Sequence, residues 1–379
     1  MASRELPQND PRAAYLAQRA EIDAAIARVL EGGRYILGSE SAAFESEFAA
    51  AMGCRHGIGV GNGTDALVLA LRALGIGPGK AVATVAHTAV ATVAAIEMVG
   101  AEPLLLDIDP ASYTMDPAAL AQVLAAPPAR LPPIAAIVPV HLYGQPADLA
   151  ALAALAARYR VPLIEDCAQA HGARFEGRPA GSFGVMATFS FYPTKNLGAL
   201  GDGGMVTTSD DALAAELRAL REYGWRERRY VSERAGVNSR LDELQAAILR
   251  VKLARLEADN ARRIAIADRY DAELAGLAAT APRRDPRRRH VFHQYVLRSA
   301  GRDALRSALA AAGIGTNIHY PVPVHLQPAY LGRIATAPSG LAATEAAAGE
   351  VLSLPMYPQL GDDEVDRVIA AVRAAVPRG

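Results

Sequence analysis

Three short stretches of the chain place chemically capable side chains beside glycine-rich turns. In SFYPTKNLGALGDGG, residues 190–204, Lys195 follows an apolar strand and Pro193, and four glycines lie within the next nine residues. Proline biases the residue before it away from the helical region, so Lys195 stands past a strand end rather than on a solvated helix face. Removal from water lowers a lysine's pKa and frees the neutral amine to act as a nucleophile. Binding an anion, or no special role, are the other uses of a lysine so placed. In VPLIEDCAQAHGA, residues 161–173, Glu165 and Asp166 close an apolar run. Asp166 is either the cap of a following helical turn or the counter-charge of a buried cation. A protonated pyridine nitrogen is such a cation. Pyridoxal 5'-phosphate (PLP) needs a carboxylate there to stay protonated and accept electrons. Gln169 lies three residues further on, and His171 is near enough for either a structural or a contacting role.

The third stretch, GVGNGTDALVLAL (residues 59–71), is a strand, a glycine turn and a helix. Gly63, Thr64 and Asp65 fall at its first turn, where free N–H groups and the helix dipole favour an anion such as phosphate. Ordinary helix capping is the plainer use of Thr64 and Asp65. Neither GK[ST] nor G-x-G-x-x-G is present, so this is not a nucleotide-binding loop of those kinds. Ser190 could add its hydroxyl from the neighbouring strand. His319 and His325, six apart in HYPVPVH with prolines between them, lack the spacing of a zinc site, and no cysteine pair accompanies them. No metal is expected, and a substrate-pocket wall suits this stretch better.

The elements that must position these groups alternate along the chain. GIGVG, AVATVA, PLLLDI, IAAIVPV, VPLIED, ATFSF and GGMVTT read as strands, with helical runs such as DALVLALRAL and DLAALAALAARY between them. Near-continuous apolar strands separated by helices indicate a buried, mostly parallel sheet in an α/β fold, with ligands at the strands' carboxyl ends. An earlier helix is expected over 18–31, stopped by Gly32 and Gly33. One long helical pattern covers about 240–275 and would bridge to a second domain. That smaller domain is expected over 257–379, with a strand in VFHQYVL and helices in ALRSALAAAG and DDEVDRVIAAVRAAV. The large domain is placed at 36–256, and segment 1–35 is expected to pack on the small one. The basic run RRDPRRR, 283–289, reads as a solvated loop, with contact to a phosphorylated ligand or a neighbouring chain as the alternative.

Composition removes whole classes of function. With 379 residues, two domains are the natural reading, and 51% apolar with 21% charged residues is ordinary for a globular enzyme. A net charge of -1 argues against a general nucleic-acid binder. Two distant cysteines, Cys54 and Cys167, do not make a disulfide scaffold. The absence of a signal-like N-terminus and of any 18-residue apolar run suggests a cytoplasmic protein that engages no membrane.

Taken together, NGTDAL (62–67), PVHLYGQPADL (139–149), EDCAQAHGA (165–173), SFYPTKNLGALGDGG (190–204) and GVNSRLDELQAAILRVKL (236–253) resemble the DegT/DnrJ/EryC1/StrS family of sugar aminotransferases. The resemblance runs from about residue 20 to the C-terminus. It implies the aspartate-aminotransferase-like PLP fold type I, with a seven-stranded, mostly parallel sheet and a smaller α+β C-terminal domain. By the same resemblance Lys195 carries PLP as an internal aldimine, alternating with pyridoxamine phosphate, and Asp166 pairs with the pyridine nitrogen. Gln169 supports the ring near its phenolic oxygen, while Gly63, Thr64, Asp65 and Ser190 cradle the phosphate. Asn238 matches an asparagine that reaches the phosphate of the other subunit, which implies a homodimer with shared sites. Tyr320 and His325 fall where members contact the nucleotide-sugar. Many members carry an aromatic residue after the threonine matching Thr88, whereas this chain has Ala89; His87 would then approach the ring, or stacking is weaker. The implied reaction moves an amino group from L-glutamate to a dTDP-linked keto-sugar. C3 of a 3-keto-6-deoxyhexose is favoured over C4 of a dTDP- or UDP-linked 4-keto sugar. A PLP-dependent sugar dehydratase and a non-catalytic regulatory relative are the competing classes, and the presence of both Lys195 and Asp166 weighs against each.

Overall fold

The computed structural model describes residues 5–378. The seven apolar runs form β1 (His56–Val60), β2 (Ala81–Val85), β3 (Glu102–Leu106), β4 (Ile134–Ile137), β5 (Ile164–Asp166), β6 (Met186–Ser190) and β7 (Gly204–Thr208). Their order across the sheet is β1-β7-β6-β5-β4-β2-β3. The β5–β4 junction is made by parallel bridges Ile137–Leu163 and Val140–Asp166. There the His141 N–H donates to the Asp166 carbonyl (3.0 Å) and the Asp166 N–H to that of Pro139 (2.9 Å). Only β7 runs against its neighbours. The sheet gains an eighth strand beyond the seven expected, Ala335–Thr336, which pairs in parallel with Leu104 and Leu105 of β3. Two residues are too few to show an alternating pattern, so this strand carries no periodic signal.

Alternate residues of the same strand enter different cores, as the period of two requires. Ala83, Val85, Leu104 and Ile137 pack with Phe44, Phe48 and Phe189. Val82, Ala136 and Ile164 pack with Leu67, Leu71 and Leu217 on the opposite face. Both faces are covered by helices, so the few polar side chains inside the strands, such as Thr84 and Glu165, are buried and hydrogen-bonded, and the site lies at the strand ends.

A separate core gathers Tyr270, Phe292, Tyr295, Leu352 and Val368. It is built on the antiparallel strands Tyr295–Arg298 and Val351–Leu354 and the helices Arg302–Ala311 and Asp362–Ala375. The long pattern over 240–275 is two helices, Glu243–Leu253 and Leu256–Glu273, separated at Ala254 and Arg255.

The N-terminal segment does not lie wholly on the small domain. Leu6 enters that core and pairs with Gly313 and Gly315. Helix Arg19–Gly32, ended by Gly33 at φ 65°, instead lays Ala25 and Val29 on Leu244, Ala247 and Val251 of helix Glu243–Leu253. Its narrow apolar stripe matches that small-residue face. No helix among the described residues is long and apolar enough to cross a membrane.

Candidate active site

A cavity of about 500 Å³ opens at the carboxyl ends of the strands, lined by Asp166 from the end of β5, Ser190 from the end of β6 and Lys195 just beyond it. Gly63 and Thr64 after β1, Thr88 and Ala89 after β2, and Gln169 complete its polar wall. The sheet brings together residues that lie more than a hundred positions apart.

Asp166 is 4% exposed. Its Oδ2 accepts from Thr92 Oγ1 (3.0 Å) and its Oδ1 from the Ala168 N–H (3.1 Å). Burial raises its pKa, against the lowering effect of these donors and of Lys195. A buried carboxylate with only two neutral donors calls for a cation. Lys195 feels the reciprocal effect: burial lowers its pKa to about 8, opposed by the Asp166 charge. At neutral pH this makes the free amine far more available than on a solvated lysine.

The phosphate turn depends on glycine for space. A Cβ on Gly63 would stand 2.6 Å from that of Ser190. Asn62 caps the helix Gly63–Ala73 by accepting from the Asp65 N–H (2.8 Å), so the N–H groups of Gly63 and Thr64 are those the helix cannot pair. Ser190 Oγ accepts from the Tyr192 N–H (3.3 Å), which leaves its hydrogen to donate. Asp65 also lines the cavity, but its carboxylate accepts from Ser239 Oγ (2.6 Å) and its N–H is already capped. Asp65 therefore builds the turn and offers a phosphate no free donor. Donors for a phosphate, a buried carboxylate for a pyridinium and a depressed-pKa lysine for an aldehyde sit in one cavity, and PLP fits that set.

Gln169 is fixed in one orientation. Its Oε1 accepts from the Tyr143 N–H (2.7 Å), so its Nε2 faces the other way and donates to Tyr320 Oη (3.1 Å). Tyr320, from the C-terminal part of the chain, thereby touches a lining residue without lining the cavity itself. His325 pairs with Glu345 (3.0 Å) and lines no part of the cavity. Nor does His87 take the place of a stacking aromatic. It is buried, its Nε2 meets Tyr143 Oη (2.8 Å), and burial lowers its pKa to about 4. The wall at Ala89 is simply small. Asn238 is exposed and lies outside the cavity of its own chain. His171 is packed among Phe48, Phe189 and Phe191, with ring centroids 5.6–6.4 Å away, a structural place. Thr92, Tyr192, Asp202 and Tyr143 carried no distinguishing sequence signal; Thr92 lies one helical turn after Thr88, which only the fold makes meaningful.

One group among the described residues gathers potential metal ligands: His141, Glu165 and Cys167. Its lone pairs are spent. Glu165 accepts from His141 Nε2 and from the N–H groups of Gly181, Phe183 and Gly184 at 2.7–3.0 Å, and His141 Nδ1 accepts from the Ala147 N–H. It is a structural knot behind β5.

Residues 17–373 match the DegT/DnrJ/EryC1/StrS aminotransferase family. The chain belongs to this family. Its members include dTDP-3-amino-3,4,6-trideoxy-alpha-D-glucose transaminase of Streptomyces venezuelae, 49% identical over 373 residues and covering 97% of this chain and 95% of that protein. The erythromycin biosynthesis sensory transduction protein EryC1 of Saccharopolyspora erythraea is 48% identical, covering 98% and 99% of the two chains. The solved structure of S. venezuelae DesV in complex with a ketimine intermediate superposes with a TM-score of 0.93 at 49% identity, covering 98% of each chain. The fold is therefore PLP type I, PLP is the cofactor, and the chain is a PLP-dependent aminotransferase.

Proposed function

We propose that this aminotransferase moves the amino group of L-glutamate to C3 of a dTDP-linked 3-keto-6-deoxyhexose, with Lys195 and Asp166 as its catalytic residues. The observation that carries the chemistry is the convergence of these two residues with the Gly63–Thr64 N–H groups in one cavity. The S. venezuelae relative, whose name places the amino group at C3 of a dTDP-linked sugar, supports the substrate.

Bound PLP supplies an electron sink for the charge left when a Cα proton departs. Lys195 would hold the cofactor, and its free amine would take the proton from the donor's Cα as general base. In the second half-reaction it delivers a proton to sugar C3. Asp166 holds the ring nitrogen protonated in both directions. The N–H groups of Gly63 and Thr64, with the hydroxyls of Thr64 and Ser190, hold the phosphate. Gln169, with one amide N–H on Tyr320, would support the cofactor's phenolic oxygen with the other, and Tyr320 would serve the sugar. Of the two residues expected to contact the sugar, Tyr320 is bonded to the cavity residue Gln169, which favours it, while His325 pairs with Glu345.

A second copy of the chain completes the site with Asn238. Two features support that assembly. Asn238 is exposed and faces no ligand of its own chain, and the apolar Tyr35, Ile36 and Leu200 are exposed beside the same 238–245 segment. Ile36 bridges to Asp242, and the Leu200 N–H donates to Gln245.

Incubating the holoenzyme with glutamate and separate dTDP-linked 3-keto and 4-keto 6-deoxyhexoses, with products read by NMR, tests the assignment. Conversion of the 3-keto sugar to a 3-amino product is expected. Efficient amination of the 4-keto sugar with none of the 3-keto would overturn it.

A further inference from the structure

We propose that Tyr143 is a positioning residue that sets the register between Gln169 on the cofactor side of the cavity and Tyr320 on the sugar side. The proposal rests on the roles just given to Gln169 and Tyr320.

Tyr143 is buried, and neither its ring nor its hydroxyl lines the cavity. It sits in the short turn Leu142–Gly144 with φ 61°, a left-handed conformation that a residue with a large side chain adopts only when surrounding contacts enforce it. Those contacts come from both parts of the molecule. The Tyr143 N–H donates to Gln169 Oε1, and its carbonyl accepts from the Gln294 N–H (3.2 Å). The next carbonyl, of Gly144, accepts from the Val291 N–H (3.0 Å). Gly144 itself must be glycine: φ is 98°, and a Cβ would lie 2.9 Å from the His293 nitrogen.

The side chain closes a ring. Tyr143 Oη donates to the carbonyl of His319. A carbonyl can only accept, so the phenol's one hydrogen is spent there, and His87 must donate its Nε2–H to the same oxygen. His87 Nδ1 meets no acceptor that would draw the hydrogen to that side of the ring. His319 precedes Tyr320, whose hydroxyl accepts from Gln169 Nε2. The circuit runs from the Tyr143 N–H to Gln169, on to Tyr320, back along the chain to His319, and returns to Tyr143 Oη. Every orientation in it is forced. Gln169 cannot flip without setting its NH2 against the Tyr143 N–H. With its oxygen accepting from Gln169, and no acceptor for its own hydrogen among the described residues, Tyr320 keeps a hydroxyl donor for a bound sugar.

Tyr143→Phe removes the hydroxyl and keeps the ring and the backbone N–H, so the Gln169 bond persists while the His319–Tyr320 segment is released. The test compares wild type, Y143F, Y320F and the double variant, each as PLP-loaded holoenzyme, in steady-state transamination of the sugar acceptor. Y320F is expected to raise KM for the acceptor about tenfold, the worth of one hydrogen bond. Y143F is expected to raise it nearly as much, with KM for glutamate and the cofactor's absorbance band unchanged. Y143F/Y320F should be no worse than the poorer single variant, because Tyr143 acts through Tyr320. An unchanged acceptor KM in Y143F, losses that multiply in the double variant, or a uniform fall in PLP content and kcat would each overturn the proposal; the last two mark a merely structural tyrosine. If the wild type transaminates no sugar at all, the functional reading fails and this one is not the cause.

Discussion

Replacing Asp166 by Asn isolates the charge opposite the pyridine nitrogen from everything else that residue does. The two side chains have the same shape, and Oδ1 of the amide can keep the Ala168 N–H bond. At the other position an NH2 replaces the oxygen that accepts from Thr92. Thr92 can redirect its hydroxyl to Thr88 Oγ1, 3.1 Å away, so the fold loses about 1 kcal/mol at most. The chemistry loses far more. A full charge pair about 4 Å apart in a site as buried as this is worth about 4 kcal/mol at an effective dielectric constant near 20. The amide also offers an N–H where the carboxylate offered an acceptor, which favours the unprotonated pyridine. Since each 1.36 kcal/mol is tenfold in rate, the glutamate half-reaction should slow by about three orders of magnitude. Single-turnover mixing with glutamate, followed at the cofactor's visible band, measures that rate directly. PLP content determined on the same sample separates lost chemistry from lost cofactor. A D166N protein with full PLP that reacts within tenfold of the wild-type rate would refute the assignment of Asp166.

In the apoprotein the Lys195 amine is held near pKa 8 by burial; because the neutral form is the nucleophile, the rate of PLP capture should rise through pH 8 and level above it. A rate still climbing towards pH 10.5 would show an ordinary solvated lysine. Gly63→Ala should weaken PLP retention on dialysis, since the new methyl would stand 2.6 Å from the Ser190 Cβ; unchanged retention would place the phosphate elsewhere. Lys252 donates from helix Glu243–Leu253 to the Gly198 carbonyl (2.5 Å), closing the turn that carries Lys195. Lys252→Met should destabilise the apoprotein by about 1–3 kcal/mol in urea melts by leaving that carbonyl unpaired, and an unaltered midpoint would remove the clamp. Mixing inactive Lys195→Ala with inactive Asn238→Ala chains after dissociation should restore about a quarter of wild-type activity, since half the random dimers then hold one intact site. No recovery, with dimers shown to exchange, would mean that Asn238 serves its own chain or none.

The seven main strands were legible because buried strands leave little choice of residue, and the chain shows them as apolar runs bounded by helices. Lys195, Asp166 and the Gly63–Thr64 turn were legible because each departs from its apolar surroundings. What stayed hidden depends on distance in space. Nothing in HTAVAT separates Thr92, which supports Asp166, from its neighbours. The left-handed backbone of Tyr143 looks like any tyrosine before a glycine. Asp65 and His325 were expected as ligand contacts, and their bonds to Ser239 and Glu345, 174 and 20 residues away, carry no sequence signal. The Arg283–Arg289 run resolves into pairs, among them Arg284 with Asp268 and Asp271, Arg287 with Asp148, and Arg289 with Glu257. Charge counting along the sequence cannot supply such partners.

Those arginine pairs bear on how the site divides its labour. Gly63 and Thr64, Asp166, and Ser190 with Lys195, the groups assigned above to the cofactor, all follow strands of one sheet. Tyr320 does not. It arrives through the segment that follows helix Arg302–Ala311, and its place depends on the turn at Tyr143. That turn is gripped by Val291 and Gln294, immediately after the arginine-paired stretch tied to Asp148 and Glu257. Single exposed ion pairs contribute little, but here several act on one strap of chain, and Arg287 with Asp148 ties it to the large domain. On the function proposed above, cofactor retention and acceptor choice would be controlled by different parts of the molecule. Substitutions around 319–320 and 287–294 should change which sugar is bound while leaving PLP in place, whereas substitutions at the strand ends should change both.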